Sequence, residues 1–199
     1  MSSAAEREMR DALVAWFHTN EPKARVVHEL NVAGQGSNRA DLGIIFPDTL
    51  FLVEIKSKKD SLKRLKDQFD AFTKCSHGVI IAAHECHFDG NDLKGCDWMR
   101  WSHKDHIWRY PGADKWDLHR YKAYAEPHAV MFLEMLWAEE LSAEIVRHGL
   151  MAGGPQRWQM IHALTLGLTG KQIREAVCRQ LRQRTFAEAD APIIERIAA

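Results

Sequence analysis

The hydrophobic positions of the first 85 residues change period several times, and each change marks an element. In AAEREMRDALVAWFHT, Met9, Leu13, Trp16 and Phe17 recur at helical spacing, which predicts a helix. RVVHEL (25–30) is short and β-branched and predicts a strand. The polar, glycine-rich NVAGQGSN that follows reads as a loop. RADLGIIF (39–46) predicts a second strand, PDT a turn, and LFLVEIK (50–56) a third strand, apolar enough to be central in a sheet. From about Asp60 to Phe72, Leu62, Leu65, Phe69 and Phe72 return to helical spacing, and GVIIAA (78–83) predicts a fourth, buried strand. The order is α-β-β-β-α-β.

Aromatic and histidine-rich sequence follows, with short strands expected near 97–101 and 106–110. Around Pro111-Gly112 the character changes. PHAVMFLEMLWAEELSAEIVRHG reads as one helix, with Pro127 near its first turn and Gly149 after its end. QRWQMIHALTLG and TGKQIREAVCRQLRQR read as two more, the second opened by Thr169. The expected organisation is an α/β domain over residues 1–112 and a helical region over 113–199.

Composition narrows the class without choosing a function. A chain of 199 residues with a 46% hydrophobic share can build one core plus an appendage. No apolar stretch approaches membrane-span length and MSSAAEREMR lacks a signal-peptide core, so a cytoplasmic protein with no membrane partner is expected. Cys75, Cys86, Cys96 and Cys178 have no framework spacing and read as reduced thiols. The formal net charge is zero, but its distribution is uneven. Residues 56–66 carry six basic groups and one acid, 126–144 five Glu and no Lys or Arg, and 157–184 six basic groups and one acid.

The chemistry lies in the second and third strands. Glu54 and Lys56 sit two apart, so they share a face of their strand, while Val53 and Ile55 take the other. A carboxylate and an ammonium are costly to desolvate within so apolar a run. Asp41 on the preceding strand completes the pattern D-x(12)-E-x-K. If the two strands form a hairpin, two carboxylates converge beside a lysine. Such oxygen ligands suit a hard divalent ion, Mg²⁺ or Mn²⁺, and the lysine stands where it can orient water or stabilise developing negative charge. Phosphodiester hydrolysis needs these parts.

The element order and this motif together resemble the PD-(D/E)xK, or restriction-endonuclease-like, nuclease superfamily, over roughly residues 4–85. The resemblance implies a mixed central sheet in an αβββαβ core, a metal-dependent deoxyribonuclease activity and DNA as partner. It assigns the metal to Asp41, Glu54 and the backbone carbonyl of Ile55, and a catalytic role to Lys56; Ala40 stands where the motif's Pro would be. VVHEL…NRADLGII…LVEIKSKKDSLKRLKDQ is also similar to bacterial and phage members that carry a Glu at the end of the first strand and a Gln in the following helix, here Glu29 and Gln68. AAEREMRDAL resembles the first helix of archaeal Holliday-junction resolvases, which would place a further metal ligand at Glu6. Many relatives act as dimers, so a homodimer is an open expectation.

Each residue also has a plainer reading. Glu54 and Lys56 can be a solvated pair, Asp41 a turn acid, Glu29 a surface carboxylate and Glu6 a first-turn helix acid. Gln68 lies off its helix's apolar stripe, where it either reaches the site or faces water. The charges Lys58, Lys59, Lys63 and Arg64 next to a phosphate-cleaving site suit backbone phosphates. LGLTG between the last two helices gives a helix-turn-helix look. The second of them buries Ile173, Val177 and Leu181, which leaves Arg174, Arg179, Arg182 and Arg184 off the stripe, either for nucleic acid or as a solvated face. HECH (84–87), Cys96 and SHKDH (102–106) supply zinc-type ligands, but no C-x₂-C or H-x₃-H pair is present. The reading is a metal-dependent nuclease acting on DNA. The alternatives are a non-catalytic nucleic-acid-binding domain on the same scaffold and a regulatory partner protein.

Overall fold

In a computed structural model, residues 4–32, 38–99, 106–111, 123 and 125–194 are described. The first helix, α1, spans Ala4–Asn20, and the strands β1 (Arg25–Asn31), β2 (Arg39–Ile45) and β3 (Leu50–Lys56) follow. A 3-10 turn at Leu62–Arg64 leads into α2 (Leu65–Thr73), and then comes β4 (Gly78–His84). The αβββαβ order read from the periodicities is therefore present. Two-residue strands β5 (Phe88–Asp89) and β6 (Asp92–Leu93) pair with each other, and β7 (Ile107–Tyr110) returns to the main sheet. Of the short strands expected near 97–101 and 106–110, only the second forms among the described residues. Residues 97–99 are turn and bend, and 100–101 lie outside the described residues. The expected domain boundary at 112–113 also lies outside them.

The main sheet has the order β1-β2-β3-β4-β7, antiparallel from β1 to β3 and parallel from β3 to β7. It is mixed, and helices cover both faces. Met9, Leu13 and Phe17 of α1 pack on one face against Leu42, Phe51, Val53, Ile55 and Trp108. On the other face Leu65, Phe69 and Phe72 of α2 join Leu50, Leu52, Val79 and Ile81. That second cluster continues without a break into the C-terminal helices through Phe132, Leu133, Leu141, Leu164, Ile173 and Leu181. Every residue of β3 is buried. Alternation sends Phe51, Val53 and Ile55 to α1, and Leu50 and Leu52 to α2. Glu54 and Lys56 continue the row on the α2 side, which decides which helix supplies their partners.

The helical region differs from its sequence reading. The single helix expected over 127–149 is two, α3 (Ala129–Leu133) and α4 (Ala138–Arg147). The interruption frees carbonyls that a continuous helix would have used, and distant arginines take them. Arg157 donates to the carbonyls of Glu134 and Leu136, and Arg184 to that of Met135 at 2.8 Å. Glu140 closes the new N-terminus by accepting from the Trp137 N–H at 2.7 Å. Local periodicity cannot register an interruption that is offset by side chains far along the chain. Gly149 does end α4: its φ of 63° is left-handed, and Gly149 and Leu150 donate back to Val146 and Ile145.

The last helices, α5 (Arg157–Gly167) and α6 (Gly170–Gln183), form as expected, with Thr169 capping α6. The basic face of α6 does not. Arg179 and Arg182 are buried, and the Arg184 side chain is 6% exposed. Arg179 grips the fully buried Glu144 through both oxygens, at 3.1 and 2.6 Å. Arg182 donates to the Lys23 and Ile45 carbonyls, and Arg184 pairs with Glu140. Arg174 bonds both oxygens of Glu126 at 2.9 Å. The acidic segment and the second basic segment, which looked like separate surfaces, are complements that pair with each other, inside the fold at Glu144 and Glu140 and at its surface at Glu126. The nucleic-acid role expected of Arg179, Arg182 and Arg184 is corrected for that reason, whereas Arg174 stays partly exposed beside an exposed Glu126. Helix α6 lies between β2 and α3 rather than on an open flank, so more than its apolar stripe is covered.

The C-terminal tail returns to the edge of the sheet. Residues 188–190 run along β1, where His28 donates its N–H to Glu188 O and Asp190 donates its own to Val26 O. Buried Arg25 ties both together, donating to the last carbonyls of α6 and to Asp190 O. This covers the unpaired edge of β1, the side of the sheet nearest the candidate site.

Candidate active site

The site opens where the first three strands stop pairing. In the β1–β2 register His28 faces Leu42 and Leu30 faces Ala40, so Glu29 lies opposite Asp41. The β2–β3 ladder ends at Leu42 and Val53, so the next residues outward are Asp41 and Glu54. Three carboxylates thus fall in a row across three strands. With the ladder gone, the Ile55 N–H has no backbone acceptor on β2, and Asp41 Oδ2 takes it at 2.6 Å. That bond fixes the Asp41 carboxyl beside the strand that carries Glu54. A strand residue's N–H and C=O point to the same edge, so the Ile55 carbonyl also faces this gap. Glu29 has a φ of 54°, in the left-handed region that non-glycine residues seldom occupy. It also interrupts the alternation of β1, because Val27 and Leu30, three apart, pack on the same face.

Glu54, Lys56 and Gln68 form a closed triangle. Lys56 Nζ donates to Glu54 Oε1 at 2.6 Å and to Gln68 Oε1 at 2.9 Å, and Gln68 Nε2 donates to Glu54 Oε1 at 2.6 Å. Gln68 is therefore a reaching residue of α2, not a solvated one. All three bonds leave one atom out. Glu54 Oε2 is buried and has no hydrogen-bond partner, in a residue 4% exposed. An orphaned carboxylate oxygen at such depth is costly. The electrostatics of the site agree. Burial, then the neighbouring Glu54 charge, raises Asp41 from 3.8 to about 7. Burial likewise raises Glu54, against the pull of Lys56 and Gln68. A buried and a half-buried carboxylate that resist ionising together are a site short of positive charge.

Arg10 of α1 is the residue that the sequence reading missed. Its Nη2 lies 2.9 Å from Glu6 Oε1, 3.0 Å from Glu29 Oε1 and 3.4 Å from Asp41 Oδ1, and Nη1 donates to the Asp41 carbonyl at 3.0 Å. Glu29 is further held by Arg39 Nε at 2.6 Å. Glu6, expected as a further metal ligand, lines the cleft and is bound to Arg10. The available signal was the i, i+4 spacing of Glu6 and Arg10, which puts both on one face of α1. It reads as an ordinary surface pair until the sheet is in place.

Glu6, Glu29, Asp41, Glu54, Lys56 and Gln68 line one cleft of about 880 Å³, with Asn38, Arg39 and Arg64 at its margins. Lys58, Lys59, Lys63 and Arg64 are exposed beside it. The turn leaving Lys56 is pinned: Asp60 Oδ2 accepts from Ser57 N–H and Oγ–H, and His87 Nε2 donates to the Ser57 carbonyl at 2.8 Å. Among the described residues no three His, Cys, Asp or Glu side chains are grouped to hold a metal, and residues 102–105 of the zinc-type segment lie outside the described residues. The donor set that fits a cation is two carboxylates and a carbonyl. It suits an ion such as Mg²⁺, which keeps several of its waters.

Fold and site together define an α/β protein with a charge-deficient pair of carboxylates, one buried and one half-buried, at the open end of a mixed sheet. Residues 1–90 match the family model described as bacteriophage P4 protein cII, and the chain is similar to that family over this stretch, which contains every residue of the cleft. No curated protein and no solved structure matches the chain. No helix among the described residues is long and apolar enough to cross a membrane.

Proposed function

We propose that the cleft hydrolyses phosphodiester bonds of DNA with Mg²⁺ or Mn²⁺, on a core of the restriction-endonuclease-like type. The observation that carries this reading is the orphaned Glu54 Oε2 opposite Asp41, beside a lysine with an uncommitted proton. Bound by Asp41, Glu54 and the Ile55 carbonyl, a divalent ion supplies a Lewis acid for the phosphate and for the attacking water. The chain's own residues do the rest. An ammonium has three protons; Lys56 gives two to Glu54 and Gln68 and can direct the third at a water or at a phosphate oxygen that gains charge. Gln68 bridges Lys56 to Glu54 and keeps the ammonium from rotating away. Asp41 is oriented by the Ile55 N–H. Arg64, at the margin of the cleft, and the exposed Lys58, Lys59 and Lys63 offer contacts to the phosphates that flank the scissile one.

The test is cleavage of DNA by the full chain. Activity should require Mg²⁺ or Mn²⁺ and stop with chelator. It should fall about a hundredfold or more in Lys56→Ala, as expected when one preorganised charge is removed. DNA binding without metal-dependent cleavage would favour the non-catalytic alternative on the same scaffold.

A further inference from the structure

The proposed reaction gives no part to Arg10, which contacts three of the carboxylates that line the cleft. Arg10 is buried, and its Nη2 lies within 3.4 Å of carboxylate oxygens from α1, β1 and β2. One positively charged group here neutralises three carboxylates, the electrostatic part a metal ion plays, although with Arg10 between them they are not grouped to hold one. Paired-metal sites place two ions about 3.5–4 Å apart across a clamp that holds both ends of the reaction. Asp41 occupies such a shared position here. Its Oδ1 faces Arg10 and its Oδ2 faces the β3 side, where Glu54 lies. Without a cation on the Arg10 side, Glu6, Glu29 and Asp41 would repel one another, and part of the cluster would protonate. The left-handed backbone of Glu29 accompanies this contact, a conformation kept only where surroundings impose it.

We propose that the Arg10 guanidinium stands in place of a second divalent cation. It is a positioning residue that satisfies Glu6 and Glu29, keeps them from coordinating metal, and limits the cleft to a single ion at Asp41 and Glu54. The inference rests on the metal reading of the cleft. Removing the guanidinium while keeping the carboxylates turns a one-ion site into a two-ion site.

Counting bound Mn²⁺ on the full chain tests this without any nuclease assay. Wild type should bind one Mn²⁺, by calorimetry and by loss of the free-ion electron paramagnetic resonance signal, and Glu54→Gln should lose it. Arg10→Met should bind two, the second lost again in Arg10→Met/Glu29→Gln. Two ions in wild type, or one in folded Arg10→Met, would overturn the proposal. No ion in wild type would instead overturn the metal reading itself. Should Arg10→Met fail to fold, Glu29→Gln alone still decides. Glu29 does not hold the ion, so one Mn²⁺ should remain with an affinity within about threefold of wild type, under about 1 kcal/mol. A lost ion in that variant would make Glu29 a ligand and refute the substitution of metal by arginine.

Discussion

Asp41→Asn should make the metal-free protein more stable while impairing its chemistry. Burial and the Glu54 charge raise the Asp41 carboxyl from 3.8 to about 7. The unfolded chain therefore releases this proton near pH 4, and the folded chain only near pH 7. Between those values the native state holds the extra proton, so stability falls as pH rises through the window. A shift of about 3 units corresponds to a ceiling of about 4 kcal/mol, fully lost above pH 7. Asparagine mimics the protonated acid and still accepts from the Ile55 N–H. Its amide next to Arg10 removes part of the gain, so about 2–3 kcal/mol is expected at pH 8, against a ceiling of about 4. Urea denaturation in chelator, from pH 4 to pH 8, measures it. The two proteins should be close near pH 4 and diverge steadily to pH 8, with the variant the more stable. Millimolar Mg²⁺ should then stabilise wild type and leave the variant unmoved, because a ligand of the native state adds stability by mass action. A variant less stable than wild type at pH 8 in chelator, or a gap independent of pH, would refute the argument that the carboxylate pair is short of positive charge.

Three further outcomes follow from the charges. Glu144→Gln leaves Arg179 buried without its carboxylate and should cost about 3–5 kcal/mol, whereas Glu144→Leu/Arg179→Met should cost far less, as a double-mutant denaturation cycle would show. Neutralising Lys63 and Arg64 should flatten the log-log salt dependence of DNA binding by about one unit for each phosphate left without its cation. Arg184→Ala should instead lower the Tm and leave that slope unchanged, since this guanidinium is engaged by Glu140 and the Met135 carbonyl.

Much of the site was legible because its residues break local patterns. Glu54 and Lys56 are charges in a strand buried on both faces, and desolvation makes such an insertion expensive without a purpose. Asp41 and Glu54 sit near the ends of strands joined by a short turn, so their convergence needs only a hairpin. Gln68 was placed off the apolar stripe of its helix by periodicity alone. Arg10 was not legible. Its partners beyond Glu6 lie on β1 and β2, and nothing in a helical repeat announces them. The α6 arginines were misread for a related reason. A 3.6-residue period marks the apolar stripe of a helix, yet long charged side chains can also be buried when distant carboxylates receive them.

The sequence by itself determined the α-β-β-β-α-β order, the caps at Thr169 and Gly149, and the pairing of an acid with a lysine on β3. These are decided by neighbours within one turn or one hairpin, so local spacing carries them. Only the tertiary structure decided that Glu140 and Glu144 neutralise Arg184 and Arg179, that the helix over 127–149 breaks where Arg157 and Arg184 take its carbonyls, and that Arg10 enters the carboxylate row. Each of these depends on a charged side chain reaching a partner set by whichever group lies within a few ångströms and indifferent to distance along the chain, and where the charge is buried, as at Glu144 and Arg179, the energy is large.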